Sequence, residues 1–257
     1  MGALFVDNLV LYNASQSTCS QRVRFTLHEK GLTFSEVKLD LFSGDQLRPE
    51  YLKLNPNGVV PTLVHDGTPI IESAVIMEYL DEVFRGPTPL VPAHALDRAR
   101  MRSLIHYIDE VPTPAVRVPT YNIAFLRHFR EMTEQQFLEL AESKPLRKEF
   151  LLKMGRTGFP EAEVTAAMDR LGRAVARIAE TLRASRGPWL LGTSLTLADI
   201  AMMPVAVRLA DLGLGTMWQK LPEIDRWLDA LRARPTFAKT YYFGSLVTEK
   251  YPDLKVY

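Results

Sequence analysis

Hydrophobic positions along this 257-residue chain follow two different repeats. In the first 84 residues, short apolar runs are separated by turn-forming residues such as Gly31, Asn55-Pro56-Asn57-Gly58 and Asp66-Gly67. This pattern predicts the order β-α-β, a connecting helix, then β-β-α. The predicted elements are a strand at 10–13, a helix over 20–30, a strand beginning near Phe34, a helix over 46–54, a hairpin over 62–71 and a helix over 73–83.

Beyond this region the pattern becomes helical. Three prolines between Arg85 and Pro92 exclude regular helix and central strand, so we expect a linker over 85–94. Met101, Leu104, Ile105, Ile108 and Val111 then share one helical face, and a longer apolar stripe runs over 164–182. Thr196 to Asp199 has a capping-box pattern. The predicted organisation is a first domain over 1–84, the linker, and an all-helical domain over 95–257.

Composition narrows the class of protein. The formal net charge is +1, which gives no reason to expect nucleic acid or an acidic membrane as a partner. No apolar run is long enough to span a bilayer, the N-terminus has no secretion-signal pattern, and there is one cysteine. We therefore expect a soluble, cytoplasmic protein. The histidines have no metal-ligand spacing, so we expect no metal, and no phosphate-binding glycine loop is present.

Three short motifs carry the candidate chemistry, in a fixed order. Ser17-Thr18-Cys19-Ser20 precedes an amphipathic helix, Val60-Pro61-Thr62 begins a strand, and Glu72-Ser73 begins the next helix. Each motif is common alone, and their order and spacing make the set specific. A hydroxyl or thiol at a helix start, a proline-fixed backbone edge and an acidic cap suit a γ-glutamyl thiol peptide.

With these motifs, residues 9–84 resemble the thioredoxin-like N-terminal domain of the cytosolic glutathione transferase family. The strings STCSQRVR (17–24), PEYLKLNPNG (49–58), VVPTL (59–63) and ESAVIMEYL (72–80) carry the resemblance, and SLTLADI (194–200) resembles the capping motif of the family's helical domain. The resemblance implies an α/β thioredoxin-like domain followed by an all-α domain, glutathione as co-substrate and a homodimer. It also implies transferase activity on a hydrophobic, electrophilic, aromatic molecule.

Transferase chemistry needs the glutathione sulfur as a thiolate, because the thiol is a weak nucleophile with a pKa of about 8.5. A hydroxyl, the positive end of the helix expected to start near Ser20, and Arg22 are available to stabilise it. In a chain resembling the zeta class, Ser17 takes the place of the reactive cysteine, with Thr18 and Ser20 as substitutes; Ser20 also suits the helix N-cap. Cys19 is either an inert packed residue or a second nucleophile, as in reductive dehalogenases of this superfamily.

The resemblance also implies how glutathione is held. The family has a cis proline at Pro61, which exposes the backbone of Val60 for antiparallel pairing with the peptide. Glu72 and Ser73 would bind the γ-glutamyl group, and Gln46 would hold the glycine carboxylate. Without a ligand, Pro61 would be an ordinary turn proline and Glu72-Ser73 an ordinary helix start.

Candidates for the second-substrate wall are Val111, Tyr121 and Phe125. The phrase Arg156-Thr157-Gly158-Phe159-Pro160 resembles one in bacterial β-etherases, which cleave aryl ethers with glutathione. The leading hypothesis is therefore a glutathione S-transferase, with β-aryl ether cleavage as one form of it. The alternatives are a glutathione-dependent isomerase or reductive dehalogenase, and a non-catalytic scaffold with the same fold.

Overall fold

The first part of the chain forms a four-stranded sheet covered by helices. The computed structural model describes residues 8–86 and 88–254. Two predictions fall partly outside this range. Pro87 belongs to the expected linker, and residues 1–7 belong to the N-terminal segment in which no secretion signal is expected. The predicted element order is confirmed, with these bounds: β1 Leu9–Asn13, α1 Thr18–Glu29, β2 Ser35–Lys38, a 3₁₀ turn Asp45–Leu47, α2 Pro49–Leu52, β3 Thr62–His65, β4 Thr68–Ile71 and α3 Ser73–Val83.

The strand order in the sheet is β2-β1-β3-β4. Strand β1 pairs in parallel with β2 and antiparallel with β3, while β3 and β4 form the predicted hairpin. Leu9 and Leu11 point to the buried side of β1, where they pack with Leu63 and with residues of α1 and α3. The antiparallel pairing places Tyr12, near the end of β1, opposite Thr62, at the start of β3, so the loop that follows β1 and leads into α1 lies near the loop before β3.

The single helix expected over 46–54 is instead two short pieces. Arg48 has extended backbone angles (φ −66°, ψ 142°) between the 3₁₀ turn and α2. The reason is Pro49, which disfavours helical geometry at the residue before it and suits the first position of a new helix.

The rest of the described chain is helical. The long face predicted from Met101 to Ile108 is buried in α4, but this helix ends at Glu110 and Val111 caps it, because Pro112 begins a new helix. The bounds are α4 Ala95–Glu110, α5 Pro112–Thr120, α6 Glu134–Glu142, α7 Lys148–Met154, α8 Glu161–Ser185, α9 Leu197–Asp211, α10 Pro222–Arg232, α11 Pro235–Thr240 and α12 Val247–Lys250.

The predicted capping box at the start of α9 is confirmed. The Asp199 carboxylate accepts hydrogen bonds from the Thr196 backbone N–H at 3.0 Å, the Leu190 N–H at 2.8 Å and the Trp227 indole N–H at 3.0 Å. These bonds join α9 to α10 and to the loop before α9, so the box organises the helical core as well as one helix end. No helix in the described residues combines the length and apolar character required to cross a bilayer.

The largest hydrophobic core is shared between the two parts of the chain. Phe25 of α1 and Met77 of α3 belong to the same buried cluster as residues of α4, α8, α9 and α10. Two fully buried arginines on α1 add polar contacts across this boundary. Arg22 donates to the Ala201 carbonyl and to Thr113, and Arg24 donates to the Thr240 carbonyl. Helix α1 is thereby fixed against the helical part of the chain.

Candidate functional site

A cavity of about 160 Å³ lies where the start of α1 faces the helical part. One side is formed by the loop before α1, the loop between β2 and α2, and the loop before β3. The other side is formed by α5 and the turn after it, by the segment between α6 and α7, and by Arg208 of α9 and Lys250 of α12. Four of the residues expected to act on glutathione line this cavity: Ser17, Cys19, Gln46 and Val60.

Ser17 is the N-cap of α1. Its backbone is extended (φ −70°, ψ 117°), and its Oγ accepts a hydrogen bond from the Ser20 backbone N–H at 3.2 Å. A hydroxyl can accept and donate at once, so this bond leaves the Ser17 proton available to a group in the cavity. The expectation that Ser20 caps a helix starting there is wrong. Ser20 lies buried inside α1, and its Oγ accepts from the Ala14 N–H at 3.4 Å.

Cys19 is partly buried, carries a free thiol and lines the same cavity. It lies in the first turn of α1, which contains no acidic residue, so the positive end of the helix acts on both Ser17 and Cys19. Arg22, which was expected to strengthen this field, lies outside the cavity wall. Its guanidinium is directed to Asp109, Thr113 and the Ala201 carbonyl.

The loop before β3 is held rigidly beside this helix end. The Val60–Pro61 peptide bond is cis, as the sequence resemblance implied. Tyr51 and Asn55 both donate to the Val59 carbonyl, at 2.6 and 2.9 Å. This arrangement keeps the backbone of Val60 in the cavity wall, where an extended peptide could pair with it.

Two buried polar atoms in the cavity wall have no hydrogen-bond partner within the described residues. Gln46 is 4% exposed and its Nε2 donates to the Leu41 carbonyl at 3.2 Å, but its Oε1 has no partner; the Nε2 of Gln16 also has none. An unpaired buried amide atom destabilises a protein by about 1–3 kcal/mol. The two atoms, one an acceptor and one a donor, therefore fit a polar ligand such as a peptide.

Glu72 and Ser73 lie next to this cavity but are not part of its wall. Glu72 is exposed and has a positive φ of 70°, an uncommon backbone conformation for a residue with a side chain. Ser73 is buried and its Oγ accepts from Arg22 at 3.4 Å. The Glu72 charge is among those that raise the pKa of Arg147, which does line the cavity, although burial lowers that pKa overall.

Of the three residues expected to contact the second substrate, the structure brings two together. Tyr121 and Phe125 line the cavity and their rings meet edge to face, with centroids 5.3 Å apart. Val111 lies elsewhere, in a separate groove with Arg170, Arg173 and Arg177 of α8. The physical reason is the break at Pro112, since Val111 ends α4 and only the following helix, α5, reaches the cavity.

A π-helix over Tyr121–Phe125 positions these two aromatic residues. Asn122 within it accepts a hydrogen bond from the Phe159 N–H at 2.8 Å. Gly158 makes this contact possible, because its φ is +104° and a Cβ there would lie 3.0 Å from the Asn122 Oδ1. The phrase that resembles β-etherases thus has a structural role here, which is to hold the turn that carries the aromatic wall.

Sequence reasoning missed the cations of this site. Arg117, Lys144, Arg147, Arg208 and Lys250 all line the cavity, where Asp40 is the one carboxylate among the described lining residues. Arg208 donates to the Gln16 carbonyl at 2.6 Å, and Lys144 donates to the Leu41 carbonyl at 3.4 Å. They come from separate helices and loops, so no single sequence motif groups them.

Comparison with known proteins places this arrangement in a family. The family model for the glutathione S-transferase N-terminal domain matches residues 16–83, and the model for the C-terminal domain matches residues 143–235. Protein LigF of Sphingobium sp. (strain NBRC 103272 / SYK-6) is 32% identical over 240 residues, which cover 91% of this chain and 93% of LigF. The chain belongs to the glutathione S-transferase family.

A solved structure and a relative matched over a shorter segment also support assigning this transferase to the family. The crystal structure of the β-etherase LigF from the same Sphingobium strain has a TM-score of 0.83, with 91% of this chain and 98% of that chain covered. Maleylacetoacetate isomerase of Rhizobium meliloti (strain 1021) is 41% identical over 102 residues, covering 40% of this chain and 47% of the isomerase. The predicted fold, a thioredoxin-like domain followed by a helical domain, is confirmed.

The family models match only some of the residues that line the cavity of this transferase. Ser17, Cys19, Gln46 and Val60 fall within the N-terminal match, while Tyr121 falls between the two matched segments. Glutathione is the co-substrate of the family, and the N-terminal match contains the start of α1, capped by Ser17, and the unpaired Gln46 oxygen, both of which fit this ligand. Within the residues that the structure describes, no group of His, Cys, Asp or Glu is arranged to hold a metal ion.

Proposed function

We propose that this glutathione S-transferase cleaves aryl ethers that carry a ketone next to the ether-bearing carbon. The observation that carries the proposal is the pair Tyr121 and Phe125 in the same cavity as the Ser17 hydroxyl. Similarity to the β-etherase LigF over 91% of the chain supports it.

The residues of the site suit this reaction step by step. The glutathione thiol loses its proton to water, and the Ser17 hydroxyl, which is held by the Ser20 N–H, donates a hydrogen bond to the resulting thiolate. The positive end of α1 also stabilises this negative charge. A new C–S bond then forms at the carbon next to the ketone as the C–O bond breaks. The bonding electron pair leaves on the phenolate oxygen, so no oxidant or reductant is needed.

The remaining residues of the matched domain hold the peptide. Val60 pairs with the cysteinyl backbone, Pro61 fixes the direction of that edge, and Glu72 and Ser73 take the ammonium and carboxylate of the γ-glutamyl group. We assign Gln46 a role different from the one expected from the sequence. Its free atom is an oxygen, which accepts, so it suits an N–H of glutathione better than the glycine carboxylate.

The test is an assay of ether cleavage. The purified protein is incubated with glutathione and a 2-aryloxy-1-arylethanone, and the released phenol and the thioether are measured by chromatography. The control substrate is the corresponding alcohol, in which the carbon is not activated by a ketone. Phenol release from the ketone alone supports the proposal. Conjugation of a haloaromatic without phenol release would show a transferase of another specificity, and glutathione binding without any turnover would favour the scaffold alternative.

A second candidate function follows from Cys19. Its free thiol lines the cavity two residues from Ser17, an arrangement that also suits a reductive dehalogenase or an isomerase of the superfamily. In a dehalogenase, the Cys19 thiolate would attack the sulfur of a glutathionylated substrate and form a mixed disulfide with glutathione. The carbon–sulfur bond breaks in this step, and its electron pair stays on the substrate carbon, which takes up a proton from water. Replacing Cys19 with Ala should leave ether cleavage intact. Loss of all turnover in this variant would favour the thiol-exchange function.

We further propose that the protein acts as a cytoplasmic homodimer in the catabolism or detoxification of aromatic compounds. Family membership supports the dimer, and the single cysteine fits a reducing compartment. Light scattering coupled to size-exclusion chromatography tests the oligomeric state, with a monomer at micromolar concentration contradicting it.

A further inference from the structure

Four of the five cations that line the cavity form no ion pair with a carboxylate within the described part of the chain, namely Arg117, Lys144, Arg147 and Lys250, whereas Arg208 has Asp211 nearby at 3.8 Å. Lys250 is exposed, and the other three are partly buried. Arg147 donates one hydrogen bond, to the Leu146 carbonyl at 2.9 Å, which leaves most of its N–H groups unused. Unpaired charges that are partly removed from water are costly, so their presence at a ligand cavity indicates an anionic ligand.

Arg117 and Arg147 act as a pair. Arg117 lies on α5 and Arg147 immediately before α7, and both line the cavity beside Tyr121. Burial lowers the pKa of Arg147, and the neighbouring charge of Arg117 lowers it further. Two neighbouring guanidinium groups repel each other, and an anion that lies between them offsets this repulsion. Their planar forks match the two oxygens of a carboxylate.

The pair lies in the helical part of the chain, whereas the expected glutathione residues of the same cavity, Ser17, Cys19, Gln46 and Val60, lie in the first 84 residues. The charges of Cys19 and Glu72 nevertheless act to raise the pKa of Arg147, so the two subsites are neighbours. Both arginines share the cavity wall with the aromatic residues Tyr121 and Phe125, whereas Glu72 and Ser73 lie outside this wall. The aromatic part of a second substrate placed against Tyr121 would therefore bring its substituents to the two arginines.

We propose that Arg117 and Arg147 bind a carboxylate on the aromatic second substrate, so that this transferase prefers acidic aryl ethers to neutral ones. This inference rests on the proposed function for the identity of the aryl ether. The carboxylate subsite itself depends only on the arginines, and it can be measured without turnover.

The experiment compares an aryl ether that carries a benzoic acid group with its methyl ester. Binding of each compound is measured by calorimetry in the presence of S-methylglutathione, which fills the glutathione subsite but cannot react. We expect the acid to bind about tenfold to a hundredfold more tightly than the ester. Arg147→Gln and Arg117→Gln should each remove most of this preference. Arg173→Gln, at an exposed arginine in the separate groove on α8, should keep it.

The variants distinguish a carboxylate of the second substrate from the carboxylates of glutathione. If Arg147→Gln weakens the binding of glutathione and leaves the preference for the acid unchanged, the pair serves the co-substrate's own carboxylates and the inference is overturned. Equal binding of acid and ester by the wild type, or binding of neither, also overturns it. Thermal unfolding of each variant confirms that it is folded, and the two single variants provide independent measurements.

The assay of phenol release separates this inference from the proposed function. If the wild type cleaves the ester but shows no preference for the acid, only the carboxylate subsite is refuted. If it binds the acid selectively and releases no phenol, ether cleavage is refuted and the subsite remains.

Discussion

Replacing Ser17 with Ala removes two interactions that the structure assigns to one oxygen. The Ser17 Oγ accepts a hydrogen bond from the Ser20 N–H at 3.2 Å and caps α1, and because a hydroxyl can also donate, its own proton remains available to a group in the cavity. The first interaction affects the stability of the protein. The second affects the pKa of the glutathione thiol when it is bound.

The two effects have different expected sizes. Loss of the cap should lower the free energy of unfolding by about 0.5–2 kcal/mol. A hydrogen bond to a charged group contributes about 1.5–3 kcal/mol, so its loss should raise the pKa of the bound thiol by about one to two units. At neutral pH the thiolate fraction and kcat/KM should then fall about tenfold to a hundredfold. Binding of glutathione itself should remain nearly unchanged, because Val60 and Glu72 are intact.

Glycine provides the matched control. Gly at an N-cap is only a few tenths of a kcal/mol worse than Ser, but it also lacks the hydroxyl. We therefore expect Ser17→Gly and Ser17→Ala to show the same rise in thiol pKa, measured by ultraviolet absorbance of the bound thiolate across a pH titration. Urea unfolding should separate them, with only Ser17→Ala clearly destabilised. If the thiol pKa is unchanged in both variants, or if the loss of activity follows stability instead of the hydroxyl, the assignment of Ser17 is wrong.

Three further predictions concern other parts of the site. Glu72→Gln should raise the Kd for glutathione about tenfold with little change in kcat, since it removes a charge that pairs with the ligand ammonium; calorimetry measures the first and a saturating assay the second. Gly158→Ala should lower the free energy of unfolding, measured by urea titration, by about 1–3 kcal/mol, because the φ of Gly158 is +104° and the added Cβ meets Asn122. The control is Gly172→Ala, inside α8 with open space around it, which should be neutral or stabilising in the same titration. Burial, assisted by the charge of Lys250, lowers the pKa of His128. The contribution of His128 to stability is therefore present above its unfolded pKa of about 6.5 and is lost as pH falls through the folded pKa. His128→Phe should show a shallower loss of stability over that range, and an unchanged pH profile would contradict this.

The matched N-terminal part was largely predictable from sequence because its signals are local. Short apolar runs and the Asp66-Gly67 turn place β3 and β4 within a residue of their observed bounds. Ser17 was identified for its place in a motif, but the choice of Ser20 as the helix cap was wrong. Both serines suit an N-cap, and which one takes it depends on the loop from Ala14, whose N–H holds Ser20 inside the helix.

The cationic half of the cavity was not predictable in the same way. Arg117 and Arg147 are separated by a π-helix and by α6, and their proximity depends on how these elements pack. Pro119 makes this region harder to predict, because a proline within a helical sequence pattern usually ends the helix. Here α5 continues through Pro119 into the π-helix that carries Tyr121. The free oxygen of Gln46 depends on the Leu41 carbonyl, a contact set by the conformation of one loop.

The two buried arginines of α1 have a consequence for how proteins of this kind can diversify. Recombination that joins the first 84 residues to the helical part of a relative must supply partners for Arg22, namely the Asp109 carboxylate, the Thr113 hydroxyl and the Ala201 carbonyl. A chimera without them would contain an uncompensated charge in its interior, a defect that lowers stability by about 3–5 kcal/mol. New substrate specificities in this lineage should therefore arise by changes within one intact chain, at the segment 121–160, more readily than by exchange of whole domains.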